Sequence, residues 1–159
     1  IGTLERYSWL AAGVLNKPLA AGEASSTKFI YEHERGFNND TGSMDGVFVE
    51  SADIDIADGD NYVFLKKVLP DILFVNDIGT SQNGAVNIVL KRRDFSNQTL
   101  STDSTTQVTA SSTFGSLRSR GRQFVLRFES DDDNSEGDRK NYKWRLGNTR
   151  VEIQPSGRR

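Results

Sequence analysis

Hydrophobic residues recur at every second position through the C-terminal third of this chain. In Gln123–Glu129, Phe124, Leu126 and Phe128 share one parity, and Val125, Arg127 and Glu129 share the other. Tyr142, Trp144 and Leu146 repeat the arrangement, with Lys143 and Arg145 between them. Successive side chains point to opposite faces of a strand, so a period of two predicts β-strands with one buried face. Weaker versions of the same signal predict strands over Thr27–His33, Val47–Ile56, Tyr62–Val68, Ala85–Lys91, Thr105–Ala110 and Thr149–Ile153. Thr105–Ala110, rich in threonine, suits a sheet edge. Tyr7–Leu10 reads as a strand or a short helical turn, and Asp71–Val75 as a continuation past Pro70. Val47–Ile56 slips phase near Ser51–Ala52, which suits a β-bulge.

Turn chemistry separates these runs. Asp58–Gly59–Asp60–Asn61 tolerates the positive φ angles of a tight hairpin, and predicts that Tyr62–Val68 returns from Val47–Ile56. Ser81–Gly84 predicts a second turn, and Gly36–Gly46 and Asp94–Ser104 read as polar loops. Asp131–Asp138 reads as the solvated tip of a hairpin between Gln123–Glu129 and Asn141–Leu146. No amphipathic helix and no fixed-period repeat is visible. The expected fold is all-β: an antiparallel β-sandwich, or a barrel-like variant, of about seven to eight short strands. Residues 24–159 are expected to form this domain, and residues 1–23 the end of a preceding domain or connector.

Composition narrows the chemistry. The 159 residues are 35% hydrophobic and 26% charged, with a mean hydropathy of −0.56. No apolar run approaches the roughly 18–20 residues of a membrane-spanning helix. The absence of cysteine excludes disulfides, thiolate metal sites and cysteine nucleophiles. The chain starts at Ile1 with Met44 as its single methionine, so a fragment or processed product is expected. The net charge of −2 conceals an asymmetry. Residues 112–159 hold eleven Lys/Arg against seven Asp/Glu. Opposed tracts of charge suit packing between copies or an anionic partner.

Candidate catalytic and metal groups do not converge in the sequence. Asp53, Asp55, Asp58 and Asp60 offer oxygen ligands for calcium, but their spacing departs from the EF-hand pattern, which needs glycine sixth and glutamate twelfth. His33 is the single histidine and shares no strand face with the adjacent Glu32 and Glu34. No Gly-x-Ser-x-Gly nucleophile turn occurs. No catalytic residue, metal site or cofactor is expected. The most suggestive feature is Arg118, Arg120 and Arg122, which alternate and would point the same way on an extended segment. Three guanidiniums on one face need carboxylates or phosphates to offset their repulsion. Contact with a DNA backbone, a seam between subunits, or pairing with the nearby acidic loop would each supply them.

Several short stretches, taken in order, carry a family resemblance. They are YEHERG at Tyr31–Gly36, DGD at Asp58–Asp60, VLPDI at Val68–Ile72 and LKRRDF at Leu90–Phe95. SRGRQFVLRFES at Ser119–Ser130, WRLG at Trp144–Gly147 and QPSGRR at Gln154–Arg159 complete the series. In this order they resemble the C-terminal region of tail nozzle proteins of short-tailed phages, also called packaged-DNA stabilisation proteins. The resemblance implies a virion structural protein, part of a head–tail connector that extends the DNA channel. It implies a homo-oligomeric ring, expected to be a hexamer, whose partners are an adaptor, other tail proteins and passing DNA, with no membrane. It also implies that residues 1–23 end a β-propeller-like platform. It transfers no catalytic residue and no cofactor. Read without the resemblance, a carbohydrate- or receptor-binding β-sandwich is the alternative, with Tyr7, Trp9, Tyr142 and Trp144 as its candidate aromatics.

Overall fold

The structure, a computed structural model, describes residues 7–10, 17–24, 26–33, 46–55, 61–76, 84–131 and 142–157. Their regular structure is entirely β, in thirteen strands. Strands β1 (Tyr7–Leu10), β2 (Leu19–Ala24) and β3 (Thr27–Glu32) form a three-stranded antiparallel sheet. Glu23, where the first segment was expected to end, lies within β2, and the β2–β3 hairpin is continuous across it.

The remaining strands build the sandwich. They are β4 (Phe48–Glu50), β5 (Ile54–Asp55), β6 (Val63–Leu69), β7 (Ile72–Asn76), β8 (Ala85–Arg93), β9 (Ser101–Thr109), β10 (Gly115–Gly121), β11 (Gln123–Ser130), β12 (Tyr142–Leu146) and β13 (Arg150–Pro155). One sheet runs β4–β11–β8–β9, with β5 also on β11. The facing layer runs β10–β6–β13, and β12 pairs with β7 beside it. Every pairing is antiparallel, and no sheet among the described residues closes into a barrel.

The core lies between the layers. Val63, Leu65 and Val68 of β6 and Leu117 of β10 face Val86, Ile88 and Leu90 of β8, Val108 of β9, and Phe124, Leu126 and Phe128 of β11. Ile72, Phe74, Trp144 and Leu146 of the β7–β12 pair pack against the same cluster. The alternation of β11 therefore does what its sequence predicts: Phe124, Leu126 and Phe128 are buried, and Arg127 and Glu129 face outward, half-buried. Val125 is buried as well, although it shares their parity. Burying such side chains is the main favourable term in folding, at about 25 cal/mol per Å² of apolar surface.

The predicted bulge near Ser51 is present. Glu50 pairs with Arg127 and Ile54 with Phe124. Residues 51–53 therefore stand opposite only Val125 and Leu126. Ser51 closes the irregularity: its N–H donates to the Leu126 carbonyl at 2.9 Å, and its Oγ accepts from Leu126 N–H at 3.1 Å.

Two expected hairpins are not the pairings found. β6 pairs with β10 and β13, not with β4 or β5. β12 pairs with β7, not with β11. Local alternation identifies a buried face but not its partner, and long connections let sandwich strands change sheets. The strand count also exceeds the expected seven to eight. Val47–Ile56 divides at its bulge into β4 and β5. Strand β10 buries Gly115, Leu117, Ser119 and Gly121, so its inward face carries only one large apolar residue to read. β9 starts at Ser101, inside the expected loop, because its polar first residues are exposed at a sheet edge and need only backbone pairing with β8. The turn at 58–60 and most of that at 81–84 lie outside the described residues.

Candidate anion-binding face

The outer faces of the two layers handle charge differently. On the outer face of β8 and β11, the described cations Lys91, Arg93 and Arg127 each have a carboxylate within reach. Lys91 Nζ lies 2.5 Å from Glu50 Oε2, and Arg127, whose guanidinium stacks 3.8 Å from the Phe48 ring centroid, donates from Nε to Glu129 Oε2 at 2.6 Å. Arg93 pairs with Asp53. Arg92 Nε donates to Asp103 Oδ1 at 2.9 Å, and its Nη1 donates to the Arg120 carbonyl at 3.0 Å, tying β8 to β10. The hydrogen bond that Arg92 donates to Asp103 holds its guanidinium above its ordinary pKa against the opposing effect of burial.

The β10–β6–β13 face is built differently, because two irregularities adjoin at Lys66. Ser116 pairs with Lys67 and Ser119 with Leu65, so Leu117 and Arg118 together stand opposite Lys66. On the other side Glu152 pairs with Lys67 and Ile153 with Leu65, so Lys66 is the extra residue there. Bulges re-aim side chains. The neighbouring residues Lys66 and Lys67 consequently both reach one carboxylate, at 3.8 and 3.0 Å from the two oxygens of Glu152. Leu117 turns into the core, while Arg118 turns out with a φ of 41°. That left-handed backbone is costly for a residue with a Cβ.

These residues border an open groove of about 390 Å³ lined by Phe64, Lys66, Lys67, Phe114, Ser116, Arg118 and Glu152. Lys67 Nζ lies 5.6 Å from the Phe114 ring centroid. Phe114 is 54% exposed, a large apolar surface at the rim. Glu152 titrates below the usual glutamate range, chiefly through its hydrogen bond to Lys67 and then the charges of Lys67 and Lys66.

The three arginines singled out in the sequence divide between two sites. Arg118 belongs to the groove. Arg120 is also exposed on β10, but its guanidinium lies 4.1 Å from the Tyr62 ring centroid. Its Nε donates to Ser156 Oγ at 2.8 Å and its Nη2 to the Ser156 carbonyl at 3.2 Å. Arg122, in the bend after β10, approaches the same Tyr62 ring at 4.9 Å and the Phe95 ring at 5.0 Å. Tyr62 is itself fixed by backbone bonds to Ser156 and Gly157. Aromatic faces, which attract cations, thus receive two of the three arginines.

Other candidates fall into structural roles or beyond the described residues. Asp53 is engaged by Arg93, while Asp58 and Asp60 lie outside the described residues. His33 N–H donates to the Pro18 carbonyl at 2.8 Å, and Glu34 is outside the described residues. Asp131 is not part of a solvated tip: it is buried and accepts from Gln107 Nε2 at 2.9 Å and Asn87 Nδ2 at 3.4 Å. Residues 132–141 are outside the described residues. Trp144 packs on the core and donates its indole N–H to Ser130 Oγ at 2.9 Å, which removes it from any exposed aromatic platform.

Sequence reasoning missed Lys66, Lys67, Glu152 and Phe114. One signal was available: two adjacent lysines inside Val63–Leu69 break the period of two, and a bulge is the usual way a strand accommodates that. The chain matches no protein-family model and no curated protein sequence.

Proposed function

We propose that this chain is a non-enzymatic virion structural protein: part of the tail nozzle, or head–tail connector, of a short-tailed phage. It would assemble as a homo-oligomeric ring, contact an adaptor and other tail proteins, and meet packaged or departing DNA without sequence preference. The reading starts from the ordered series of short stretches that resemble nozzle proteins. The observation that supports it most directly is the outer face of β10–β6–β13, where, among the described residues, Lys66, Lys67 and Arg118 share a groove with one carboxylate, that of Glu152. A channel wall must attract phosphate without arresting the strand. Contacts made by scattered cations are salt-dependent and allow sliding. Arg120 and Arg122, held against Tyr62, would lie beside that groove on the wall or at the seam between subunits.

Electron microscopy of the purified parent protein, and of particles containing it, tests this reading. Rings of fixed symmetry at a capsid vertex are the expected result. Isolated monomers, or a position at the tip of a fibre, would overturn it in favour of a carbohydrate- or receptor-binding module.

A further inference from the structure

The groove over β10, β6 and β13 has features that fold stability does not require. Lys66 and Lys67 pair with a glutamate whose side chain is 42% exposed, and such pairs add little to stability. The side chain of Arg118 has no partner among the described residues, although its backbone is held at a φ of 41°. Unfavourable backbone conformations persist where the surrounding structure holds them, and they cluster at ligand sites. On the opposite side of the sandwich, Lys91, Arg93 and Arg127 each have a carboxylate in reach. Here three cations face one.

We propose that this groove binds a phosphate group through Lys66, Lys67 and Arg118, and that Glu152 is an internal competitor holding the two lysines until phosphate displaces it. Free phosphate carries more charge and more acceptor oxygens than a carboxylate, and a DNA strand presents a succession of singly charged phosphodiesters, so either source competes with Glu152 for charge-assisted hydrogen bonds from the same three cations. Arg118 presents the planar fork suited to two phosphate oxygens. Phe114 gives the groove an apolar wall against which the group bearing the phosphate can lie. Glu152 sets the strength of the contact: it keeps the lysines oriented and limits the net gain when phosphate arrives. Two sources share this chemistry, free phosphate and the phosphodiester backbone of DNA. Only the choice of DNA rests on the nozzle reading.

The test uses the full chain with two probes, a labelled duplex DNA followed by fluorescence anisotropy and inorganic phosphate followed by calorimetry. Glu152→Gln removes the competitor's charge and is expected to tighten binding about fivefold. Lys66→Gln with Lys67→Gln is expected to weaken it and to lower the salt-dependence slope for DNA by about two, roughly one per lost contact. Glu23→Gln, the same charge change on β2, is expected to leave binding unchanged. Unfolding cannot imitate a gain of affinity, so the Glu152→Gln result stands even where the lysine variants fold poorly. A response with DNA alone, or with both probes, supports the site with DNA as its ligand. A response with inorganic phosphate alone supports the site and overturns DNA as the source. No gain in Glu152→Gln, or an equal gain in Glu23→Gln, overturns the proposal. Absence of rings by microscopy with the Glu152→Gln gain intact would sink the nozzle reading and leave the phosphate site standing.

Discussion

Asp71 anchors the turn at Gly147 with both its backbone and its side chain. Gly147 N–H donates to the Asp71 carbonyl at 2.7 Å, and Asn148 N–H donates to Asp71 Oδ2 at 3.0 Å. The chain passes so close that a Cβ on Gly147 would collide with the Asp71 carboxylate and sit 3.3 Å from its carbonyl oxygen. Gly147→Ala must therefore turn the Asp71 carboxylate away, breaking its bond from Asn148, or shift the β12–β13 connection. The expected cost is about 1–3 kcal/mol, in the range of overpacked sites. Asp71→Ala, which loses one side-chain hydrogen bond, is expected to cost about 1 kcal/mol. Urea denaturation midpoints compare the two. A Gly147→Ala protein as stable as the parent would show that this turn adjusts freely.

Phe124 ranks among the largest fully buried side chains, and it fills the space beside Gly121 where β10 turns into β11. Phe124→Ala removes that volume from the core between the two sheets, and is expected to cost about 3–5 kcal/mol. Val49, on β4, is 50% exposed. Val49→Ala is expected to stay within about 0.5 kcal/mol of the parent. Thermal unfolding followed by circular dichroism separates these outcomes. Similar losses for both would mean that the core does not lie between the β11 and β6 layers.

The sequence made some parts of this molecule readable and hid others for physical reasons. β11 was legible because Phe124, Leu126 and Phe128 share one parity and Arg127 and Glu129 the other, even though Gln123 and Val125 are buried too. The Ser51 bulge was legible because the alternation itself slips there. Partner choice was not: a pattern that marks the buried face of Tyr142–Leu146 is satisfied equally by β11 or β7, and the structure uses β7. β10 stayed hidden because two glycines and a serine occupy inward positions, where sheets approach closely. At Gly115 a Cβ would lie 2.6 Å from Thr106 Cγ2. For the candidate site, Arg118, Arg120 and Arg122 stood out by spacing, but their regular alternation assumed a regular strand. The bulge places Arg118 with Lys66, whereas Arg120 and Arg122 converge on Tyr62.

Arg118 and Arg120 are two residues apart, yet their replacement by glycine is expected to shift stability in opposite directions. Arg118→Gly relieves a left-handed backbone at a side chain with no described partner. Relief of about 1–2 kcal/mol, less about 0.4–1 kcal/mol for the greater freedom of the unfolded chain, leaves a net gain between zero and about 1.5 kcal/mol. Arg120→Gly loses the Tyr62 ring contact and two hydrogen bonds to Ser156, and gains no such relief. A loss of about 1–2 kcal/mol is expected. Denaturant titrations measure both signs. A destabilised Arg118→Gly protein would show that the φ at this position carries no strain.

Glu152 makes the groove sensitive to acid in a defined direction. Its pKa is lowered in the folded protein, first by the hydrogen bond from Lys67 and then by the charges of Lys67 and Lys66. A depressed carboxylate contributes stability that is present above its unfolded pKa and is lost as pH falls through the folded value. That window lies below the ordinary glutamate range of about 4.3. The contribution to stability is small because the pair is exposed. The effect on binding is larger in consequence, because protonation of Glu152 leaves Lys66, Lys67 and Arg118 facing the groove without a competing anion. Sulfate, which stays ionised throughout the window, is a suitable probe. Its affinity is expected to rise in the parent protein as pH falls through the folded pKa of Glu152, and to show no such step in Glu152→Gln. NMR titration of the Glu152 carboxyl carbon locates the transition independently. A carboxyl that titrates at or above the ordinary range, or a sulfate affinity that steps up equally in Glu152→Gln, would mean that Glu152 does not control these lysines.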